Sequence, residues 1–285
     1  MSRRRSCRER REQVFIELDG KRVYYEVHGP DRGPAVLFTH GVAMDHRTFD
    51  EQVSALADRY RVIVWDMPGH GRSDPIDRHK PFSNTAAEIT VRLLDEASVD
   101  RATLAGLSLG SLVNQYVLAN APERVAGMIH ISGGSLSPGY PRVLKILIPF
   151  VSFGMALYPQ AALNKAFADH KALTASTRQY LKETIAATGK PMVTHLVNEM
   201  IRDMAAGLPE PPDRPTLILY GDHDIGFIRR MSETWHTRLP ESRLVRVDQA
   251  HHILNQDNAE ACNMAIAEFL ANAEVWQATE VRREE

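Results

Sequence analysis

The stretch that most constrains this chain is Gly106-Leu107-Ser108-Leu109-Gly110, in which glycines stand two positions to either side of a serine. An apolar strand pattern that begins at Ala102 leads into it, and a helical pattern from Leu112 to Val117 follows. A strand that turns directly into a helix forces the residue between them into strained backbone, and small residues two positions away avoid a clash. We therefore predict a sharp turn with Ser108 at its apex.

Apolar runs typical of strands alternate with helical patterns along most of the chain. The predicted strands are Val14–Leu18, Lys21–His28, Ala35–Thr39, Tyr60–Trp65, the run from Ala102, Ala126–Ser132, Pro215–Tyr220 and Arg243–Val247. This alternation predicts an α/β fold: a mostly parallel eight-stranded sheet flanked by helices. Ser83 fits the N-cap of one of these helices, and Asn258 to Leu270 is predicted to be the closing helix.

The alternation breaks down in the middle of the chain, where strand patterns disappear and helical patterns dominate. We predict a helical insertion there. The predicted organisation is a disordered basic tail at 1–13, a core made of 14–134 and 213–273, a helical cap at 135–212 and a charged C-terminal tail at 274–285.

The composition restricts the partners and the environment that we expect. Its 285 residues carry a formal net charge of −2, which provides no overall attraction to nucleic acid or to an acidic membrane. The longest apolar run, Ile146 to Tyr158, contains Pro149 and Gly154 and is shorter than the roughly 20 residues of a spanning helix, so no membrane span is expected. Cys7 and Cys262 are too few for a disulfide framework. We predict a cytoplasmic protein that acts on a small molecule.

A serine hydroxyl becomes a useful nucleophile only beside a base that a third group orients. In open parallel sheets such groups follow the carboxyl ends of strands. Asp222 and Asp224 follow the strand that ends at Tyr220, and we favour Asp224. His251 and His252 follow the next strand, and either could be the base. The order serine, acid, histidine predicts a catalytic triad.

A turn after the third strand supplies the remaining part of such a site. His40 and Gly41 precede Val42, whose backbone N–H, together with that of Leu109, could hold an oxyanion. Donors aimed in advance at a developing negative charge contribute about 3 kcal/mol each to transition-state stabilisation.

From Val14 to Leu270 the chain resembles the α/β-hydrolase fold superfamily. The matching pieces are His40-Gly41, the stretch Asp66 to Asp74 (D-M-P-G-H-G-R-S-D), Gly106 to Gly110, Gly221-x-x-Asp224 and Ala250-x-His252. In that family the base is followed by an acidic residue five positions on and by P-E-x-x-N at seven. Counted from His252, these positions hold Asp257, Glu260 and Asn263, with only the proline missing. The resemblance therefore implies that His252 is the base.

The resemblance also implies an activity. It implies a serine hydrolase that acts through an acyl-enzyme, needs neither cofactor nor metal, and cleaves a carboxylic ester of a small or medium apolar substrate. The alternatives are cleavage of a C–C bond, lactone or amide, or a member of the fold that binds ligands without catalysis. The insertion would be a cap over the nucleophile, lined in part by Leu147, Phe150, Phe153 and Met155.

Overall fold

An eight-stranded sheet forms the centre of the molecule. The computed structural model describes residues 12–284, and their side chains from residue 14 to residue 272. The strands are β1 (Glu12–Leu18), β2 (Lys21–His28), β3 (Ala35–Thr39), β4 (Arg61–Trp65), β5 (Ala102–Leu107), β6 (Val125–Ile131), β7 (Thr216–Gly221) and β8 (Arg243–Val247). All eight predicted strands are present, with ends that agree to within about two residues.

The strand order is β1-β2-β4-β3-β5-β6-β7-β8, with β2 antiparallel to both of its neighbours and every other pairing parallel. Every residue of β3, β5, β6 and β7 is buried. Strands covered by helices on both faces require continuous apolar runs, and that is what these segments carry. The predicted fold class is confirmed.

Ten helices cover the sheet and form the insertion in the described part of the chain. They are α1 (Asp50–Leu56), α2 (Phe82–Glu96), α3 (Leu109–Asn120), α4 (Leu147–Leu157), α5 (Gln160–Asp169), α6 (Ala175–Thr188), α7 (Lys190–Ala206), α8 (Gly226–Arg238), α9 (Leu254–Asp257) and α10 (Ala259–Glu284). Short 3₁₀ turns occupy His46–Phe49, Pro122–Arg124 and Arg142–Ile146.

No single described helix is long and apolar enough to cross a membrane. Only Arg142–Leu157 and Gln160–Asp169, bent by 115°, reach that length and composition together.

Helices α4 to α7 form the insertion between β6 and β7, and α7 is tied to the core by buried carboxylates. Glu199 accepts a hydrogen bond from the Phe82 N–H at 3.2 Å, and Asp203 accepts one from the Ser83 hydroxyl at 2.6 Å and one from the Tyr116 hydroxyl at 2.9 Å. The N-cap prediction for Ser83 is therefore wrong. Pro81 is the N-cap residue of α2, and Ser83 lies in the first turn, where it serves the insertion instead.

The structure describes the two predicted tails to different extents. Residues 1–11 are outside the described residues, and Glu12 and Gln13 begin β1. At the other end α10 continues through the predicted charged tail as far as Glu284, well past the expected end at Leu270.

Candidate active site

Ser108 occupies the turn between β5 and α3 with a φ of 52° and a ψ of −112°. Such a backbone is strained for a residue with a side chain. A Cβ added to Gly106 would lie 2.4 Å from the Gly110 carbonyl oxygen, and one on Gly110 would lie 2.0 Å from the Thr39 carbonyl oxygen. Only glycine fits at these two positions, so the turn predicted from the sequence forms for the predicted reason.

Asp224 and His252 form a buried pair at the carboxyl edge of the sheet. His252 Nδ1 and Asp224 Oδ1 are 3.0 Å apart, and each residue is 3% exposed. The loop after β8 brings the ring there by crossing over the end of β7, so closely that a Cβ on Gly221 would lie 2.2 Å from the Ala250 carbonyl oxygen. The loop can cross here only because position 221 is a glycine.

The other acid and the other histidine have different partners. Asp222 Oδ1 accepts a hydrogen bond from the Ala250 N–H at 3.0 Å and lies 2.8 Å from His223 Nδ1. His251 Nδ1 accepts from the N–H of His252 at 2.8 Å. The geometry therefore pairs Asp224 with His252, the combination that the family spacing favours.

The chain of contacts from Ser108 to this pair runs across the sheet. The Ser108 N–H donates to the Ile131 carbonyl at the end of β6 at 2.9 Å, and the N–H of Ser132 donates to the Leu219 carbonyl on β7 at 2.8 Å. The Asp224 N–H in turn donates to the Gly221 carbonyl at the end of β7 at 3.0 Å. Within the described part of the chain the Ser108 hydroxyl forms no hydrogen bond, so it is not hydrogen-bonded to the His252 ring.

Burial and charge set the protonation of the pair. Burial raises the pKa of Asp224, but the neighbouring His252 and the hydrogen bonds to the carboxylate outweigh it and lower that pKa to about 2. Burial also lowers the pKa of His252, and the charge of Lys171 lowers it further, against the opposing effect of Asp224. At neutral pH the acid is ionised and the ring is neutral, which are the states that a carboxylate-oriented base requires.

The loop after β3 packs directly against the turn at Ser108. A Cβ on Gly110 would also come within 2.7 Å of the His40 carbonyl oxygen, and one on Gly41 within 3.3 Å of the Leu107 carbonyl oxygen. Neither the Val42 N–H nor the Leu109 N–H donates to another residue among those described. These two predicted oxyanion donors are thus unoccupied and belong to adjoining segments.

Two buried histidines hold that loop in place. His40 Nε2 accepts a hydrogen bond from the Met67 N–H at 2.9 Å, and His70 Nε2 accepts one from the Ala43 N–H at 3.1 Å. Burial lowers the pKa of His40 to about 3 and that of His70 to about 4, so both rings stay neutral and can accept. The sequence predicts no role for His70, because its partner is distant in the chain.

Asp45, His46 and Asp66 place three potential metal-ligand atoms within 4.8 Å of one another. Asp66 Oδ1 already accepts from the backbone N–H of His46 at 2.7 Å and lies 2.8 Å from its Nδ1. The carboxylate of Asp45 is engaged by the Arg47 guanidinium at 2.7 Å. Internal hydrogen bonds account for this arrangement, which connects the loops after β3 and β4.

Lys171, in the insertion, lies beside the pair. Its carbonyl oxygen accepts a hydrogen bond from the Ile253 N–H at 3.1 Å, one residue past His252. Its ammonium is 5.9 Å from the centre of the Phe167 ring, and among the described residues it forms no ion pair. Burial lowers the pKa of Lys171 to about 8. Nothing in the local sequence separates this lysine from any surface lysine.

Asp257 joins the insertion to the loop that carries His252. Its Oδ2 accepts from the N–H groups of Leu173 at 2.9 Å and of His251 at 3.0 Å, and its Oδ1 accepts from the Thr174 N–H at 3.0 Å. This carboxylate is the acidic residue that the family pattern places five positions after the base.

The residues predicted to line a substrate pocket lie on α4 and are mostly exposed. Leu147, Phe150 and Phe153 are 48%, 69% and 66% exposed on the outer side of α4. Their exposure does not support a role in the pocket, and that role stays a prediction. Met155 is half-buried and packs against the hydrophobic core. Because nearly every residue of α4 is apolar, its sequence pattern could not distinguish the inner side from the outer side.

Comparison with known proteins gives a consistent assignment of the fold. A sequence model described as alpha/beta hydrolase fold matches residues 34–259. An uncharacterized hydrolase, YugF, of Bacillus subtilis is 23% identical, with 89% of this chain and 96% of that protein aligned. The 3-oxoadipate enol-lactonase 1 of Acinetobacter baylyi is 33% identical over 99 residues, which is 35% of this chain and only 36% of the relative. The crystal structure of a hydrolase from Pseudomonas aeruginosa superposes with a TM-score of 0.75 at 21% identity, covering 91% of this chain and 98% of that one.

Proposed function

The chain belongs to the alpha/beta hydrolase fold family, and on that premise we propose that it is a serine hydrolase that cleaves carboxylic esters through an acyl-enzyme. The observation that carries the proposal is the buried hydrogen bond between Asp224 and His252, at 3.0 Å. It lies at the same sheet edge as the strained turn of Ser108. A nucleophile, a base and a group that orients the base are the three parts that acyl transfer to serine needs.

In the proposed reaction Ser108 Oγ attacks the acyl carbon while His252 Nε2 takes its proton. The N–H groups of Val42 and Leu109 hold the resulting oxyanion. The ester C–O bond then breaks, and His252 returns the proton to the departing alkoxide. Water, deprotonated by the same ring, then attacks the acyl carbon, the bond to Ser108 Oγ breaks, and His252 returns the proton to Ser108 Oγ as the carboxylic acid leaves. The Ser108–His252 hydrogen bond forms when substrate binds, since catalytic hydrogen bonds often tighten only in the complex.

The insertion fits the role of a cap over this reaction. Tyr180 of α6 accepts a hydrogen bond from the Asp45 N–H at 3.0 Å, and Met192 of α7 packs so closely on Gly69 that a Cβ there would lie 2.7 Å from Met192 Cε. Both contacts are made to loops that follow strands β3 and β4. A substrate would therefore bind between the sheet edge and α6 and α7, with water largely excluded.

Active-site labelling and turnover test the proposal together. We expect a fluorophosphonate to label Ser108 and short-chain nitrophenyl esters to be hydrolysed, and Ser108→Ala to lose both properties while keeping its circular dichroism spectrum. Ser54→Ala, on the exposed side of α1, is the matched control and should retain both. A wild-type protein that neither labels nor turns over any ester, lactone or amide of a broad panel would be a binding protein instead.

A lactone that carries an anionic group is a second candidate substrate, favoured by Lys171. An ammonium that is half-buried, has no ion-pair partner among the described residues and lies beside the base is suited to hold a carboxylate of the substrate. A lactone is a cyclic ester, so the reaction steps are the same. The partial match to an enol-lactonase is compatible with this candidate.

A pair of lactones distinguishes the two candidates. If Lys171 binds the anion, kcat/KM should be higher for a carboxylate-bearing lactone than for its carboxamide analogue, and Lys171→Met should remove that preference. Lys165→Met, at an exposed lysine paired with Asp169, should preserve it. Equal rates on both lactones would leave simple esters as the better candidate.

A further inference from the structure

The outer side of the insertion carries an unusually exposed apolar surface. We call it the α4 face, formed by large side chains that are 48% to 69% exposed: Val143, Ile146, Leu147, Phe150, Phe153, Leu157 and Tyr158. They recur at intervals of three and four residues through the 3₁₀ turn and α4, so they share one side of a helix. Monomeric soluble proteins rarely expose contiguous patches of this kind without a partner.

The α4 face has a fixed orientation. On the opposite side of the helix Ser152 Oγ accepts a hydrogen bond from Asn198 Nδ2 of α7 at 2.9 Å. Lys190 Nζ donates to the carbonyl oxygens of Ala156 and Tyr158, both at 3.0 Å, and so closes the C-terminus of α4. Helix α4 is thus held by one side on α7, and its other side is presented outward.

Charge indicates what covers the α4 face. Between Tyr140 and Ala168 the sequence has no aspartate or glutamate, whereas Arg142 and Lys145 are exposed in the turn that leads into α4. A second copy of the chain pairing through this segment would offer no carboxylate to these cations. Anionic lipid headgroups would, and the acyl region beneath them would accept the apolar side chains.

We propose that the α4 face docks the protein onto the surface of a lipid bilayer that contains anionic lipids. Helix α4 has 11 residues, or about 16 Å at the rise of an α-helix, which is too short to cross a hydrocarbon core of about 30 Å. The helix lies in the membrane interface, with its outer side toward the acyl chains. The docking surface is distinct from Ser108, Asp224 and His252, so the inference stands independently of the proposed reaction.

Six arginines near the N-terminus would strengthen attraction to the same lipids: Arg3, Arg4, Arg5, Arg8, Arg10 and Arg11. A weak apolar attachment combined with a basic segment is a common route to stable binding at membranes. These arginines also mean that charge alone could retain the chain on anionic vesicles. The decisive comparison is therefore between variants that keep all six and differ only in the α4 face.

Vesicle co-sedimentation of the full chain tests the proposal. Wild-type protein should sediment with phosphatidylcholine vesicles that contain phosphatidylserine, and more weakly with phosphatidylcholine alone. Phe150→Ser with Phe153→Ser should lower the affinity at least roughly tenfold, since each phenylalanine loses its burial in the bilayer. Lys145→Gln should lower it about fivefold, and only for the anionic vesicles. Met264→Ser, at a methionine 65% exposed on α10, is the matched control and should bind like wild type.

Two results would overturn the proposal. One is an affinity for anionic vesicles that the double phenylalanine variant leaves unchanged, which would assign the binding to the arginines. The other is a dimer in light scattering that the same variant converts to a monomer, with no vesicle binding by either protein, which would assign the α4 face to a second copy. Circular dichroism of each variant separates loss of docking from loss of fold.

Discussion

Glycine has different structural roles in the turn at Ser108 and in helix α4. In the turn at Ser108, a single methyl group on Gly106 or Gly110 would lie 2.4 or 2.0 Å from backbone oxygen. On α4, a methyl group on Gly154 would have nothing within 4 Å. At the turn, three chain segments pack so closely that an added methyl group would meet backbone atoms. The outer side of α4 packs against no other part of the described chain. The same residue type is therefore essential in one region and replaceable in the other.

The largest effect that we predict is on catalysis, in the tightly packed region around Ser108. His252→Ala should reduce kcat on an activated ester by on the order of 10⁴-fold or more, since a serine without its base is a poor nucleophile. His251→Ala should cost less than about tenfold, because its ring accepts a backbone N–H, whereas the hydrogen bond to Asp224 is made by His252. Steady-state kinetics of the two variants decide between the adjacent histidines, and a greater loss from His251→Ala would reverse the assignment.

The two kinds of glycine predict opposite changes in stability. Gly110→Ala should lower the free energy of unfolding by about 3 kcal/mol or more, because the added methyl group meets rigid backbone. Gly154→Ala should raise it by roughly 0.5–1 kcal/mol, since alanine favours a helix interior. Urea unfolding of both variants measures the difference. A stabilising Gly110→Ala would mean that the loop after β3 is not packed against the turn as described.

An effect smaller than that of Gly110→Ala is expected at the junction of the two regions, where α7 is tied to α2 and α3. Burial raises the pKa of Asp203 to about 6, even though hydrogen bonds from Ser83 and Tyr116 oppose it. A folded-state pKa above the unfolded value of about 3.9 means that stability rises as the pH falls from about 6 to about 4. The gain should be on the order of 2 kcal/mol.

Comparison with Asp203→Asn isolates that contribution. The difference in unfolding free energy between wild type and this variant should grow in favour of wild type as the pH is lowered from 7 to 4. Glu268→Gln, on the surface and paired with Arg243, is a control whose difference should not move in that direction. A constant difference for Asp203→Asn would show that this carboxyl titrates normally.

The sheet and the family could be predicted because their signals are local or closely spaced. The buried parallel strands are continuous apolar runs, and Gly106 and Gly110 flank Ser108 at the spacing that a strand-to-helix turn needs. The α/β fold, the family and the assignment to the hydrolases are confirmed. The roles of Ser108, Asp224 and His252 remain predictions, now supported by the buried pair and the strained turn.

What the sequence could not provide depends on contacts between distant segments. The role of His70 is to accept the N–H of Ala43, and Ser83 meets a carboxylate of α7 that lies 120 positions later. A hydroxyl near a helix start satisfies the same local rule whether it caps that helix or bonds to another. The apolar run of α4 gave no indication of which side faces out, because an all-apolar helix has no polar side to compare.

The hydrogen bonds of Asp257, which join the insertion to the loop of His252, restrict how the insertion can move. One carboxylate receives N–H groups from the segment between α5 and α6 and from the loop of His252, and the Lys171 carbonyl bonds to the same loop. Moving the insertion away at this corner would break these hydrogen bonds and shift the loop that carries His252. We therefore expect substrate and product to enter and leave on the side of the insertion away from Asp257. Movement on that side would leave the position of the His252 ring unchanged.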